Sequence, residues 1–152
     1  MTLSVEETEA LRAIAGTMIP ADDANGMPGA DDPIILADIV GSIGGDLALV
    51  RAALTAIAGR SGAGFTGLER GRREALINDW YASGGAAATA LGRAILGAYY
   101  RDDRVLRALG LEARAPFPKG YALEQGDWSL LDAVRDRPPF WRDDRIDPAG
   151  ER

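Results

Sequence analysis

The side chains that could do chemistry in this chain are carboxylates, arginines, tyrosines and a single lysine, Lys119, because its 152 residues include no histidine and no cysteine. Nucleophile pairs of the Ser–His or Cys–His type are therefore excluded within the chain. So are the usual zinc, haem and iron–sulfur ligand sets and any disulfide framework. We expect no catalytic, cofactor-binding or metal-binding residues here. An enzyme built on carboxylates stays an alternative.

The acidic residues often occur as adjacent pairs, and neighbours in a helix do not face each other, so these pairs are poor acid–base dyads. We interpret them as helix caps and solvated turns. The loop at residues 21–32 has part of a calcium-loop spacing but lacks the bidentate glutamate at its last position, so turn and cap chemistry is the better interpretation. Residues 62–67 match GxGxxG, but a predicted helix precedes them where the dinucleotide motif requires a strand. We interpret this segment as a helix–helix connection.

Apolar residues recur at helical spacing through the first hundred residues, with no alternating strand pattern. The sequence therefore predicts an all-α fold, a bundle of five to six helices over residues 1–110. Predicted helix starts are a capping box at Ser4 and Glu7, Asp32 before Pro33, Asp46 after two glycines, a capping box at Thr66 and Glu69, and Asp103 before a short helix closed by Gly110.

Residues 111–152 lose most of this periodicity, apart from one helical turn predicted around residues 130–134. Five prolines and five of the ten aromatic residues lie in this quarter of the chain. A disordered tail is poor in aromatics, and a structureless loop of this length is uncommon in a compact domain. We therefore predict a long extended segment that packs its aromatics on the bundle, on another protein, or on both, within a single domain overall.

The net charge is −6, with 47% hydrophobic and 26% charged residues. This composition is typical of globular proteins, and the acidic balance argues against a nucleic-acid partner. We expect no membrane span, since no apolar run approaches ~20 residues. The first residues lack the features of a signal peptide. Cytoplasmic localisation is therefore expected, with a periplasmic location as the alternative if a twin-arginine signal has been removed.

Four stretches carry a resemblance to a known family: LRAIAGTMIPADD at residues 11–23, AYYRDDRVLRALG at 98–110, PFPKGY at 116–121 and GDWSLLD at 126–132. Together they resemble the gluconate 2-dehydrogenase subunit 3 family. Its members are small subunits of flavin-dependent sugar and alcohol dehydrogenases whose large subunit is of the glucose–methanol–choline oxidoreductase class. The likeness spans about residues 8–135 in the same order, and its C-terminal half is the more specific.

The resemblance implies a non-catalytic small subunit that supports the folding, stability and activity of a large catalytic subunit containing FAD. The sequence does not indicate whether a cytochrome subunit accepts the electrons. Alternatives are a self-sufficient helical enzyme that uses carboxylates and an isolated ligand-binding helical module. Aromatic residues dominate interface energetics. The candidate partner-binding residues are Phe117, Pro118, Lys119, Gly120, Tyr121, Asp127, Trp128, Phe140 and Trp141.

Overall fold

A computed structural model of the chain describes residues 2–62, 64–114, 120 and 124–138. The chain forms two compact units, Met1–Ala115 and Pro116–Arg152. All secondary structure elements in the described part are helical, so the predicted all-α class is confirmed. An isolated β-bridge also joins Asp22 and Met27.

The described residues of the first unit form six α-helices, within the predicted five to six. They are joined by short 3-10 turns at Asp23–Asn25, Gly44–Asp46 and Phe65–Gly67. The helices are α1 (Val5–Met18), α2 (Pro33–Ser42), α3 (Leu47–Ser61), α4 (Arg70–Ser83), α5 (Gly85–Tyr99) and α6 (Asp103–Ala108).

Two helix starts follow the capping chemistry that the sequence predicts. The Ser4 hydroxyl accepts the backbone N–H of Glu7 at 3.1 Å, and the Glu7 carboxylate accepts that of Ser4 at 2.7 Å. At α2, Asp32 Oδ1 accepts the N–H groups of Ile34 and Ile35, and Pro33 occupies the first turn. Each cap satisfies backbone donors that have no partner inside the helix.

Three other predicted starts are wrong in detail. Thr66 belongs to the turn Phe65–Gly67, and Glu69 is itself the cap of α4, accepting the N–H of Gly71 at 3.2 Å. Asp46 makes no capping hydrogen bond at α3. Its carboxylate instead pairs with the Arg93 guanidinium on α5. The cap of α6 is Asp102 rather than Asp103, because Asp102 Oδ1 accepts the N–H of Arg104 at 2.8 Å.

The end of α6 is formed as predicted. Gly110 has a φ of +74°, in the left-handed region that glycine adopts without steric cost. The N–H of Leu111 then reaches the carbonyl of Leu106 at 2.9 Å, and that of Gly110 reaches Arg107 at 3.0 Å. This pair of bonds is a Schellman motif, which satisfies carbonyls at the helix end.

Helix α5 is the centre of the first unit and packs most extensively on α2 and α3, while α1 packs mainly on α4. Its buried face combines small residues, such as Ala88 and Ala98, with large ones. Leu91, Ile95 and Tyr99 are fully buried, and the Tyr99 hydroxyl donates to the carbonyl of Pro28 at 3.0 Å. Tyr99 therefore joins the helical core to the loop before α2.

In the second unit the described residues form a 3-10 helix, Trp128–Leu131, that continues as α7, Asp132–Arg135. This segment is longer than the single turn predicted there. The extended character predicted for residues 111–152 falls mostly outside the described residues and stays a prediction.

Within the described ranges, no single helix has the length and apolarity to cross a membrane. One bent pair, Pro33–Ser42 with Gly44–Ser61, meets the length and composition criteria jointly, with an angle of 81° at the break.

Candidate partner-binding surface

Three of the nine predicted partner-binding residues lie in the described part of the chain. Gly120 has a φ of +66°, Asp127 precedes the 3-10 helix, and Trp128 is its first residue. The others lie outside the described residues, so their predicted role is untested: Phe117, Pro118, Lys119, Tyr121, Phe140 and Trp141.

Four large apolar side chains are exposed on the short helical segment Trp128–Arg135. The exposed fractions are 61% for Trp128, 76% for Leu130, 42% for Leu131 and 55% for Val134. Trp128, Leu131 and Val134 follow each other at intervals of three residues, so they lie on one face of the segment. We call these four side chains the apolar stripe. No residue of either helix in this segment is buried.

The segment is held in helical form by its own polar side chains. Asp127 Oδ1 accepts the backbone N–H of Ser129 at 3.0 Å and its hydroxyl at 2.6 Å. Both hydrogen bonds lower the pKa of Asp127, and the one from the Ser129 hydroxyl is the larger cause. The Asp127 carboxylate is therefore ionised at neutral pH. Asp132 pairs with Arg135 at 3.4 Å. Local capping thus orders a segment that has no buried residue of its own.

The described part of this segment presents apolar side chains of the kind that pack on other protein surfaces. Amphipathic helices commonly insert an apolar face into a groove of the partner, with anchors spaced three or four residues apart. The prediction named Trp128 and Asp127 but omitted Leu130, Leu131 and Val134. The spacing of Trp128, Leu131 and Val134 is the signal that could have found Leu131 and Val134, whereas Leu130 lies off that spacing.

The structure also brings together two carboxylates that the sequence separates by seventy residues. Arg104 lies between them, with 2.8 Å from its Nη2 to Asp32 Oδ1 and 2.9 Å from the same atom to Asp102 Oδ2. These hydrogen bonds from Arg104 are the main reason that the pKa values of Asp32 and Asp102 are lowered. They also raise the pKa of Arg104. All three groups are therefore charged at neutral pH, and neither carboxyl group can act as a proton donor there.

Two acidic residues of the loop at 21–32 make the local turn and cap hydrogen bonds expected of them. Asp22 accepts the side-chain amide of Asn25 at 2.6 Å and Asp32 caps α2. The hydrogen bond from the side-chain amide of Asn25 is the largest cause of the lowered pKa of Asp22. Across the described residues, no group of three or more acidic side chains is arranged to hold a metal ion.

Comparisons with family models, with curated proteins and with solved structures find no match for this chain. The resemblance to the gluconate 2-dehydrogenase subunit 3 family therefore stays a prediction from the sequence.

Proposed function

We propose that this protein is the non-catalytic small subunit of an FAD-dependent sugar or polyol dehydrogenase. In this role it binds a large flavoprotein subunit and supports the folding, stability and activity of that subunit. The flavin and the redox chemistry belong to the partner. The small subunit itself supplies an adhesive surface, for which neither histidine nor cysteine is required.

The observation that carries this proposal is the apolar stripe. Four large apolar side chains grouped on one short, locally capped helix would be costly to leave in water, and such patches typically mark interaction sites. Tryptophan is the residue most enriched among the side chains that dominate binding energy. The choice of a flavoprotein as the partner comes from the family resemblance of residues 11–23, 98–110, 116–121 and 126–132.

The proposal is tested by co-expressing the chain with a glucose–methanol–choline-type flavoprotein encoded beside it. We expect the two chains to co-elute as a yellow complex, and the flavoprotein to lose yield and activity when expressed alone. In the variant W128A/L131A the complex should weaken by about 2 kcal/mol or more, roughly thirtyfold in Kd. Size-exclusion chromatography and the flavin absorbance of the complex measure both effects.

Leu49→Ala is the matched control, because Leu49 is an exposed leucine on α3 of the first unit. It should leave the complex intact. The proposal fails if W128A/L131A binds the flavoprotein as tightly as the unaltered chain, or if the chain alone is a colourless monomer with measurable turnover.

A further inference from the structure

The loop between α1 and α2 contains an asparagine followed by a glycine, Asn25 and Gly26, and both residues are exposed. In such a pair the backbone nitrogen of the glycine can attack the side-chain amide of the asparagine, because glycine has no side chain to shield that nitrogen. The other asparagine of the chain, Asn78, lies inside α4 and is followed by Asp79. Asn25 is therefore the asparagine whose sequence neighbour favours spontaneous loss of the amide group.

This reaction, called deamidation, requires only the chain and water. The backbone nitrogen of Gly26 gives up its proton and forms a bond to Asn25 Cγ, while the bond from Cγ to Nδ2 breaks. Ammonia leaves with the proton that Gly26 gave up, carried by water, and the chain is left with a cyclic succinimide. Water then adds to one carbonyl carbon of this ring and opens it to aspartate, or to isoaspartate, in which the main chain continues through the side chain.

The structure holds Asn25 in a conformation that does not react. Asn25 ends the 3-10 helix Asp23–Asn25, and the N–H of Gly26 donates back to the carbonyl of Asp23 at 3.3 Å. Ring closure requires the nitrogen of Gly26 to lie nearly eclipsed with Asn25 Cβ, whereas a helical backbone holds these two atoms apart. The backbone must therefore rotate at Asn25 before the bond can form.

Asp22 makes the hydrogen bonds that keep this turn closed. Its Oδ2 accepts the side-chain amide of Asn25 at 2.6 Å, and its Oδ1 accepts the backbone N–H of Asn25 at 3.3 Å. The backbone N–H and carbonyl of Asp22 also pair with the carbonyl and N–H of Met27, both at 2.9 Å. Asp22 thus restrains the leaving amide group directly and the backbone on both sides of it.

We propose that Asn25 is a site of spontaneous deamidation, and that its hydrogen bonds to Asp22 slow the reaction in the folded protein. The reaction then proceeds from a locally opened form of the loop, so its rate depends on how often residues 22–27 open. The product has a carboxylate in place of the amide and has no donor for Asp22, so the hydrogen bond that closed the turn is lost. This modification site is separate from the proposed role as a partner subunit.

The full-length chain is incubated in mildly alkaline buffer beside a synthetic peptide of residues 19–29, which serves as the unfolded reference. Ion-exchange chromatography separates the product by its additional negative charge, and peptide mapping with mass spectrometry locates it. We expect the product at Asn25 and not at Asn78. The folded chain should react about tenfold or more slowly than the peptide, because opening the turn breaks hydrogen bonds to a charged carboxylate.

The variant D22A should raise the rate in the folded chain about tenfold, towards that of a peptide with the same substitution. D23A is the matched control and should leave the rate unchanged, because the Asp23 carboxylate makes no hydrogen bond to Asn25 in the described structure. Each variant is compared with a peptide that carries the same substitution, so that effects of the neighbouring charge on the chemistry itself cancel. N25Q should give no product at position 25, since glutamine would have to close a larger ring. Circular dichroism verifies that each variant is folded.

The proposal is overturned if the folded chain reacts as fast as the peptide, if D22A reacts no faster than D23A, or if the product of D22A lies anywhere other than Asn25. None of these readouts involves the flavoprotein, so failure here is distinct from failure of the proposed subunit role.

Discussion

At Gly16 the space that a side chain would need is taken by the carboxyl group of Asp31. Gly16 lies on α1, and the Asp31 side chain packs across it from the loop before α2. Glycine usually weakens a helix relative to alanine. Because Asp31 lies so close to Gly16, we expect that replacing Gly16 with alanine lowers the stability of the protein instead of raising it.

We expect Gly16→Ala to lower the free energy of unfolding by about 1–3 kcal/mol, since the new methyl group must displace Asp31. The matched control is Gly97→Ala on α5, where a Cβ would meet nothing within 4 Å. That change should raise the free energy of unfolding by up to about 1 kcal/mol through helix propensity. Urea denaturation measures both. The double variant G16A/D31A should recover most of the loss; if it recovers none, the contact with Asp31 is not the cause.

At the scale of elements, Arg104 joins the starts of two helices. Its guanidinium bridges Asp32, the cap of α2, and Asp102, the cap of α6. Other ion pairs link helices near the surface, such as Arg51 with Glu7 at 2.8 Å. Exposed pairs of that kind contribute little to stability. The pairs of Arg104 differ because the Asp32 and Asp102 side chains are largely shielded from solvent.

The lowered pKa values of Asp32 and Asp102 predict a stability that depends on pH. Both carboxyl groups have folded-state pKa values below the ordinary 3.8. Their contribution is therefore fully present above that value and is lost as the pH falls through the lower, folded-state pKa values. We expect the free energy of unfolding to fall as the pH is lowered below about 4. Urea titrations at several pH values measure this fall.

The variant R104M retains the aliphatic stem of Arg104 but removes its charge. It should reduce stability at neutral pH by about 1–2 kcal/mol and make the decline below pH 4 shallower. R107M is the matched control, because Arg107 pairs only with exposed Asp103 at 2.9 Å in the described structure. If R104M leaves the pH profile as steep as that of R107M, the bridge is not the source of the acid sensitivity.

Most helices were predictable from local sequence, and their exact starts were less so. Ser4 and Glu7 cap α1 as expected because both partners of a capping box lie within four residues. Glu69 was expected as the second member of a box but is the cap itself, since the glycine-rich segment before it forms a separate turn. Asp46 was expected as a cap, yet its carboxylate pairs with Arg93 from a distant helix.

At the scale of the whole molecule, the buried core found among the described residues belongs to the first unit. Its buried hydrophobic residues run from Leu11 to Val105, all inside Met1–Ala115. We therefore predict that a chain ending at residue 115 folds by itself, with a helical circular dichroism spectrum and a cooperative unfolding transition. It should also lose binding to the flavoprotein because it lacks the apolar stripe. A non-cooperative melt of this shortened chain would contradict the first expectation, and retained flavoprotein binding the second.

The sequence by itself determined the all-α class, the sites of most helices and the lack of histidine and cysteine chemistry, because these depend on composition and on contacts between near neighbours. It also predicts that Trp128 and Asp127 belong to an interaction surface, and this stays a prediction. Only the tertiary structure decided which distant groups meet: Asp32 with Asp102 through Arg104, and Asp46 with Arg93. These contacts depend on how the helices pack. Residues forty or seventy positions apart show no pattern in the local sequence that indicates that they lie close together.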